Sequence, residues 1–207
     1  IIISLLNGVI SEEKLIEAFG EEKVIYCVAQ GMDALKLGNK LTYMNTGNLH
    51  IGTVYHNEDK LNKLVELFKR GNVPFINEDN ILRRMWSKLM LNVGVNQVVM
   101  VYEGTYKTIQ VEGEPRDLMI GAMREVIKVA NAKGIDLNED DLNLYLNILN
   151  TLDPSSMPSM RQDGLSKRKS EKDLFSKTIM NLGDKYNIDT PINDYLYETI
   201  TRIESKY

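Results

Sequence analysis

The run of twelve residues from Met85 to Asn96 constrains this chain more than any other part of its sequence. It reads M-W-S-K-L-M-L-N-V-G-V-N, and Lys88, Asn92 and Asn96 follow one another at intervals of four within a mostly apolar segment. Four residues advance a helix by about 40° beyond a full turn, so these three side chains share one face. We call them the polar stripe. Because a buried amide or ammonium group costs free energy without a partner, the pattern predicts that something polar meets this face.

The spacing alone leaves two interpretations open. A lysine on a helix is most often solvated, and an asparagine in a buried run often bonds a neighbouring backbone group. On that interpretation the segment is an ordinary buried helix. On the other it lines a ligand site, and the choice depends on a second polar segment farther along the chain.

Composition narrows the classes of protein to which the chain can belong. It has 207 residues, of which 43% are hydrophobic and 26% are charged, as is typical of a globular protein. A net charge of -4 gives no reason to expect a nucleic-acid partner. The single cysteine, Cys27, and two histidines predict neither an intrachain disulfide nor a metal site. No apolar run approaches the roughly 20 residues of a membrane span, so we expect no membrane partner and a cytoplasmic location.

The first 78 residues mix β-rich runs with short helical patterns. An apolar run over residues 1–6 predicts a buried parallel strand, and Ser11 is placed to cap a helix that ends near Phe19. The sequence Asn45-Thr46-Gly47-Asn48 predicts the turn of a hairpin. Further strands are predicted at residues 23–30, 41–44, 49–54 and 73–76, and an amphipathic helix at 58–70 with Leu61, Leu64, Val65, Leu67 and Phe68 inward.

From residue 79 onward the sequence has helical periodicity and no further β-branched run of strand length. Helices are predicted at residues 80–102, 116–133, 139–149, 162–186 and 192–205. We therefore predict two domains, an α/β part at residues 1–78 and an all-helical part at residues 79–207.

A second polar segment, D-P-S-S-M-P-S-M-R-Q-D, occupies residues 153–163 and precedes the predicted helix at 162–186. The free N-H groups and the positive dipole end of a helix favour a carboxylate or a phosphate, and Ser159 could add a hydroxyl donor. An ordinary capped helix start explains the same residues. Farther along that predicted helix, Glu171 lies in a charged run that by default is a solvated face.

The two segments together resemble the ketopantoate reductases, also called 2-dehydropantoate 2-reductases. Members of that family carry K-x-x-x-N-x-x-x-N, then S-M-x-Q-D, with a Glu twelve residues after the Ser; Ser159 and Glu171 have that spacing. The sequences S-L-L-N-G-V and L-H-I-G, and Thr190-Pro191 with Asn193, also look like family segments. The resemblance covers nearly all of the chain in order. It implies the last strands of a Rossmann-type nucleotide-binding domain, followed by an all-α domain of the 6-phosphogluconate dehydrogenase C-terminal-like group.

The resemblance also implies a reaction. Family members transfer a hydride from NADPH to the ketone carbon of a branched 2-oxo acid, as when ketopantoate becomes pantoate in pantothenate and coenzyme A biosynthesis. Lys88 matches the proton donor of the family, Asn92 and Asn96 match the amides that hold substrate oxygens, and Ser159 matches the donor to the substrate carboxylate.

The cofactor side of the predicted site rests on three further matches. Glu171 matches the catalytic carboxylate near the cofactor, and Asn7 matches the Asn between nicotinamide and substrate. Ala34 matches a cofactor contact after the second strand. The partners that follow are NADPH or NADP+, a small 2-oxo acid and a second copy of the chain bound through the helical domain.

Two positions depart from the family pattern. Tyr106 stands where reductases that make pantoate usually have an Asn, and Ser156 replaces another residue that is commonly Asn. Both changes touch the predicted substrate pocket. A related dehydrogenase for another oxo acid therefore stays open, as does a helical dimerisation module without catalysis.

The phosphate-binding turn G-x-G-x-x-G of a nucleotide domain does not occur in these 207 residues. The sequence also starts abruptly in a predicted strand, without Met. We therefore expect a fragment of a longer reductase, and we expect the fragment alone to bind NADPH weakly and to be inactive.

Overall fold

The computed structural model describes residues 1–37, 39–55 and 57–207, with the backbone alone for residues 35–37. The chain forms two compact units, Ile1–Met85 and Trp86–Tyr207. A small sheet with short helices comes first and a helical part follows, so the predicted fold class is confirmed. The division between the units falls inside a helix and does not locate the domain boundary that we predict near residue 78, which stays a prediction.

The first unit is built around a sheet of three strands in the order β1-β2-β3. β1 pairs antiparallel with β2, and β2 pairs parallel with β3. One face of this sheet packs on a helix through a core that contains Ile25, Cys27, Ile51, Leu61 and Leu64. The elements are α1 (Ser11–Phe19), a 3-10 turn (Glu21–Lys23), β1 (Tyr26–Leu37), β2 (Lys40–Gly52), α2 (Glu58–Arg70) and β3 (Phe75–Asn77).

The hairpin predicted between residues 41–44 and 49–54 is wrong, because residues 41–44 and most of 49–54 belong to the single strand β2, which pairs with β1. Leu37, the last residue of β1, pairs with Lys40, the first residue of β2, while Asn45-Thr46-Gly47-Asn48 lies inside β2. The register of the ladder shifts between Met32 and Ala34, and Gly47 has a φ of 63°. The turn-like composition therefore serves an irregular strand, in which a glycine adopts a conformation that other residues avoid.

Three smaller predictions in this unit were also wrong. The segment 1–6 forms only an isolated parallel bridge between Ile2 and Val24, and Leu5 and Leu6 are exposed, because no ladder continues beyond that bridge. Ser11 donates to Glu12 and does not cap α1, since its side chain is used inside the first turn. Leu67 points to solvent, because only every third or fourth residue of α2 faces the sheet.

All regular elements of the second unit, every residue of which is described, are helices. They are α3 (Ile81–Val101, which begins in the first unit), α4 (Lys107–Gln110), α5 (Glu114–Ala132), α6 (Glu139–Leu149), α7 (Ser159–Leu165), α8 (Ser176–Tyr186) and α9 (Pro191–Glu204). α4 is absent from the predicted set. The helix predicted at residues 162–186 is wrong as well, because residues 166–175 separate α7 from α8. Lys167 there adopts a left-handed φ of 52°, which a continuing helix does not allow.

Two contacts in the second unit hold α3 in its place. A methyl group added at Gly94 would lie 2.6 Å from Cγ of Met123 and 3.1 Å from the backbone oxygen of Met119, so α3 and α5 approach closely there. Farther along, the fully buried Gln97 accepts a 2.6 Å hydrogen bond from the Ser176 hydroxyl. The position of α3 is therefore fixed by a small residue and by a buried polar contact.

Candidate functional site

The polar stripe lies on α3, as the spacing of its residues predicts. Asn92 and Asn96 are buried, with 8% and 7% of their surface exposed, and Lys88 is half-buried. Met85, Trp86, Leu89 and other fully or nearly fully buried apolar residues occupy the remaining faces of the same helix. The stripe is thus a narrow polar path along a helix that is otherwise packed in the protein interior.

Gln97 is the next polar residue on this helix, and it differs from the two asparagines. Its side chain donates to the backbone oxygen of Val93 at 2.9 Å and accepts from Ser176. Among the described residues, no hydrogen bond is found for the side-chain amide of Asn92 or Asn96. Neither amide is among the buried polar atoms that lack a partner, so both keep some contact with solvent and suit an external polar ligand in a way that the fully buried Gln97 does not.

The first turn of α3 is anchored by a charged cluster that lies one turn before Lys88. Arg84 Nε donates to Glu78 Oε1 at 3.0 Å, and the buried His50 contacts the same oxygen through Nδ1 at 2.5 Å. Burial raises the pKa of Glu78, but its hydrogen bonds with His50 and Arg84 outweigh burial and leave the pKa below its ordinary value. The Glu78 carboxylate therefore stays charged at neutral pH and ties the first turn of α3 to His50 of β2.

Ser159 is the first residue of α7 and is exposed. The residue before it, Pro158, makes no capping bond with its side chain, and α7 has seven residues where the sequence predicts the start of a long helix. A short helix has a correspondingly small dipole. The hydroxyl of Ser159 is available to a ligand, but the helix end adds less than the sequence suggests.

Glu171 lies in the segment between α7 and α8, which we call the 166–175 segment. The sequence places it on the solvated face of a continuous helix, and this placement was wrong. Glu171 is half-buried, and the backbone N-H of Leu174 donates to its carbonyl oxygen at 2.8 Å. The segment is irregular because side chains elsewhere in the unit bind its backbone and its charged groups.

Glu204, the last residue of α9, binds both neighbours of Glu171. Its Oε1 accepts from the backbone N-H and the hydroxyl of Ser170 at 2.7 and 2.5 Å, and its Oε2 pairs with Lys172 Nζ at 2.7 Å. Burial alone raises the pKa of Glu204, but the bonds from Lys172 and Ser170 outweigh burial and lower it. This carboxylate is therefore charged and holds the 166–175 segment from both sides of Glu171.

The two positions that depart from the family pattern lie side by side, although fifty residues separate them in the sequence. The backbone N-H of Tyr106 donates to the carbonyl oxygen of Ser156 at 2.9 Å, and that of Lys107 donates to Pro154 at 3.0 Å. Tyr106 is half-buried, and burial raises the pKa of its phenol. Tyr106 and Ser156 are therefore neighbours in the fold, and a substitution at one of them changes the surroundings of the other.

The two predicted cofactor residues other than Glu171 belong to the first unit. Asn7 is half-buried in the segment before α1, and Ala34 is exposed on β1, where it pairs with Tyr43. Lys88, Asn92, Asn96, Ser159 and Glu171 all belong to the second unit. The structure thus collects the stripe on one helix and places Ser159 and Glu171 on two later segments of the same unit.

Sequence reasoning missed the buried polar residues that support these segments. Glu125 accepts from the backbone N-H groups of Ile192 and Asn193 and from the side chain of Asn193, and Glu204 binds the 166–175 segment. Glu204 has a usable signal in the sequence, because Asn193, Leu196, Ile200 and Glu204 recur at intervals of three or four and form the buried face of α9. A carboxylate on such a face requires a partner.

Two searches of the described residues gave negative results. No group of three or more His, Cys, Asp or Glu side chains suited to a metal ion occurs within residues 1–37, 39–55 and 57–207. In the same part of the chain, no helix has both the length and the hydrophobicity needed to cross a bilayer.

Comparison with known proteins identifies the helical part. Residues 80–204 match the family described as "Ketopantoate reductase PanE/ApbA C terminal". A curated relative, the 2-dehydropantoate 2-reductase of Streptococcus pyogenes, is 21% identical over 92% of this chain and 62% of its own length. The chain therefore spans less than two thirds of that relative.

Solved structures extend the match to both units. A ketopantoate reductase of the PanE/ApbA family from Ralstonia eutropha is 28% identical with a TM-score of 0.84, over 99% of this chain and 66% of that protein. A D-mandelate dehydrogenase, in a ternary structure with NADH and anilino(oxo)acetate, is 21% identical with a TM-score of 0.88, over 99% and 67%. At that identity the second match concerns the fold alone.

Proposed function

The chain belongs to the ketopantoate reductase family, and from this membership we propose that it is the substrate-binding part of a reductase that uses NADPH to convert a branched 2-oxo acid into the 2-hydroxy acid. The family consists of oxidoreductases that act on oxo acids. We take ketopantoate as the substrate and pantoate as the product, which assigns the protein to pantothenate biosynthesis and to the cytoplasm.

One observation carries this proposal. Lys88, Asn92 and Asn96 form a single line on α3, and the two asparagines are mostly buried while their amide atoms keep some contact with solvent. A polar ligand that reaches this line would satisfy both amides, and an acidic proton would be available beside them. A ketone oxygen next to a carboxylate has the acceptors that such a line of donors requires.

The chemistry assigned to Lys88 follows from the charge that develops in the reaction. When bound, NADPH supplies the hydride that the ketone carbon accepts. The carbonyl oxygen then carries the electron pair of the former double bond, and Lys88 Nζ donates a proton to it. Asn92 and Asn96 donate their amide hydrogens to substrate oxygens and so orient the ketone for this transfer.

Ser159 and Glu171 complete the substrate side of the proposal. The Ser159 hydroxyl donates to the substrate carboxylate, a role that suits an exposed hydroxyl at the start of α7. Glu171 is an acceptor for hydroxyl or amide hydrogens of the bound molecules and helps to orient the reacting groups.

The residues of the first unit fit a nicotinamide cofactor chemically. The half-buried amide of Asn7 can both donate to and accept from a carboxamide, and Ala34 offers only a methyl group on an exposed part of β1. The pyrophosphate has no glycine-rich turn of the G-x-G-x-x-G type among these 207 residues. We therefore propose that the chain alone does not turn over substrate.

The contact between Tyr106 and Ser156 favours a second candidate function. Both positions differ from reductases that make pantoate, and the backbone of Tyr106 is bonded to that of Ser156 at 2.9 Å. A substrate with a different side chain would require the pocket to change at neighbouring positions, as it does at Tyr106 and Ser156. The second candidate is accordingly a dehydrogenase of the same mechanism for another 2-oxo acid.

The test is a substrate panel on the complete natural protein that contains this chain. NADPH and NADH oxidation are followed with ketopantoate and with 2-oxo acids that bear linear, branched or aromatic side chains. Lys88→Ala should lower turnover by about a hundredfold or more, and Lys88→Arg, which keeps the charge but is a weaker acid, should also be impaired. Lys128→Ala, an exposed lysine on α5, is the matched control.

The outcomes separate the candidates. Best activity with ketopantoate that depends on Lys88 supports the pantoate assignment, whereas best activity with another oxo acid and the same dependence supports the second candidate. Reduction of no oxo acid with either nicotinamide would contradict both and favour a helical dimerisation module without catalysis. Dimerisation through the helical domain stays a prediction, which light scattering on the complete protein checks directly.

A further inference from the structure

The 166–175 segment has little regular structure of its own. Leu174 N-H donates to Glu171 and Phe175 N-H donates to Lys172, but the segment contains no helix or strand. A segment of this kind keeps one conformation only where bonds to the rest of the fold select it. The place of Glu171 therefore depends on residues outside the segment.

Glu204 supplies three of those bonds from a buried side chain. Its side chain is 4% exposed, and it takes three hydrogen bonds: two from Ser170 and one from Lys172. These are the residues immediately before and after Glu171. Because one carboxylate fixes both neighbours, the backbone between them has little freedom, and the Glu171 side chain leaves it in a defined direction.

Tyr197, seven residues earlier on α9, supports the same arrangement. Its hydroxyl donates to Asp173 Oδ1 at 2.9 Å, and its ring lies 5.6 Å from Lys172 Nζ. The cation is thus held between a carboxylate and an aromatic face, both of which favour its charge. α9 therefore contacts the segment on the C-terminal side of Glu171 through a second residue.

We propose that Glu204 is a positioning residue for the reaction, which acts by fixing the backbone on both sides of Glu171. This inference rests on the proposed function, because it takes from it the role of Glu171. Glu204 itself touches neither substrate nor cofactor in this scheme. Its effect on turnover passes entirely through Glu171, and this requirement makes the proposal testable.

The first variant is Glu204→Gln in the complete protein. Glutamine can still accept from Ser170, but its amide N-H₂ cannot pair with the Lys172 ammonium, since both are donors. We expect kcat/KM for the best oxo acid to fall about tenfold, as expected for a displaced reacting group. Glu198→Gln makes the same chemical change at an exposed position of α9 and should leave kcat/KM unchanged.

A double-mutant cycle with Glu171→Gln separates positioning from a general structural role. If Glu204 acts only through Glu171, adding Glu204→Gln to Glu171→Gln should lower kcat/KM by less than about twofold further. A merely structural residue lowers activity by the same factor in both backgrounds. Equal losses in the two backgrounds, or no loss in the parent background, would overturn the proposal.

Amide hydrogen exchange gives a readout that does not depend on activity. Glu204→Gln should speed exchange within residues 168–175 by at least about fivefold relative to Glu198→Gln, with α3 unchanged. Unchanged exchange in that segment would overturn the inference even if activity falls. If the parent protein reduces no oxo acid, the proposed function fails first and this inference with it. If the parent is active and depends on Lys88, any failure belongs to the Glu204 proposal alone.

Discussion

The polar stripe and the 166–175 segment carry residues of one proposed site, but the protein holds them by different means. The stripe lies on a helix of 21 residues whose other faces are buried, so backbone bonds and core packing place all three side chains at once. Glu171 lies in an irregular segment that a few side-chain bonds hold, among them those of the buried Glu204 and Thr178. One arrangement distributes its support over many contacts, and the other depends on a few.

The two kinds of support predict different effects of substitution in the two regions. A substitution in the core beside α3 acts on the whole helical unit, because buried contacts are shared among several helices. A substitution in the bonds of the 166–175 segment acts locally, since few other residues depend on them. We therefore expect global losses of stability from the first group of changes and local losses of order from the second.

Glu125→Ala should have the largest effect on stability. The carboxylate accepts from Ile192 N-H at 2.9 Å and from the backbone and side chain of Asn193, and Asn193 in turn contacts Ser176, the partner of Gln97 on α3. Removal leaves buried donors without acceptors, so we expect the free energy of unfolding to fall by about 3 kcal/mol. Urea denaturation followed by circular dichroism measures this. Glu198→Ala, exposed on α9, is the control; equal losses in the two variants would contradict the assignment.

Gly94→Ala should have the next largest effect, through packing between α3 and α5. The added methyl group would meet Met123 Cγ at 2.6 Å and the backbone oxygen of Met119 at 3.1 Å. Since the backbone oxygen cannot rotate away, α3 must move from α5, and we expect a loss of about 2 kcal/mol. Thermal unfolding checks the value, with Gly71→Ala as the control, because its φ is -86° and an added methyl group would meet nothing closer than 3.4 Å. Stability equal to the parent would show that the interface relaxes.

The Glu204 contacts should contribute less, and their contribution should depend on pH. The pKa of Glu204 lies below its ordinary value of 4.5, so its stabilisation is present above pH 4.5 and is lost as pH falls through the lowered pKa. At pH 7 we expect Glu204→Gln to be less stable than the parent by about 1 to 2 kcal/mol. That difference should shrink as the pH falls below 4.5 and through the lowered pKa, where the parent carboxyl becomes protonated. A difference that stays constant from pH 7 to pH 3 would contradict a role for the charge.

The same contrast explains how much of the molecule the sequence could predict. The stripe was predictable because the helical period relates residues four apart, and α6 was predicted with the bounds that it has, Glu139–Leu149. The break after α7 was not, because the bonds that replace the helix at Ser170 come from Glu204, which is distant in sequence. The hairpin was predicted wrongly for a related reason: Gly47 is typical of a turn, yet its neighbours Thr46 and Asn48 pair with β1 and the glycine lies inside β2. A local sequence pattern does not show which distant residues a segment contacts in the folded protein.

Arg168→Ala should have the smallest effect and sharpens the comparison within the 166–175 segment itself. Arg168 contacts Asp163 Oδ1 through Nε and Nη2 at 2.9 and 2.7 Å, but its side chain is 61% exposed. Solvent and salt screen such a pair, so we expect a change of no more than about 0.5 kcal/mol in the free energy of unfolding. Hydrogen exchange of the segment should stay close to the parent, whereas Glu204→Gln speeds it. If Arg168→Ala and Glu204→Gln speed hydrogen exchange of the segment equally, an exposed ion pair holds Glu171 as well as the buried carboxylate does. If only Glu204→Gln lowers the protection of the segment from exchange, the burial of the Glu204 carboxylate accounts for its effect.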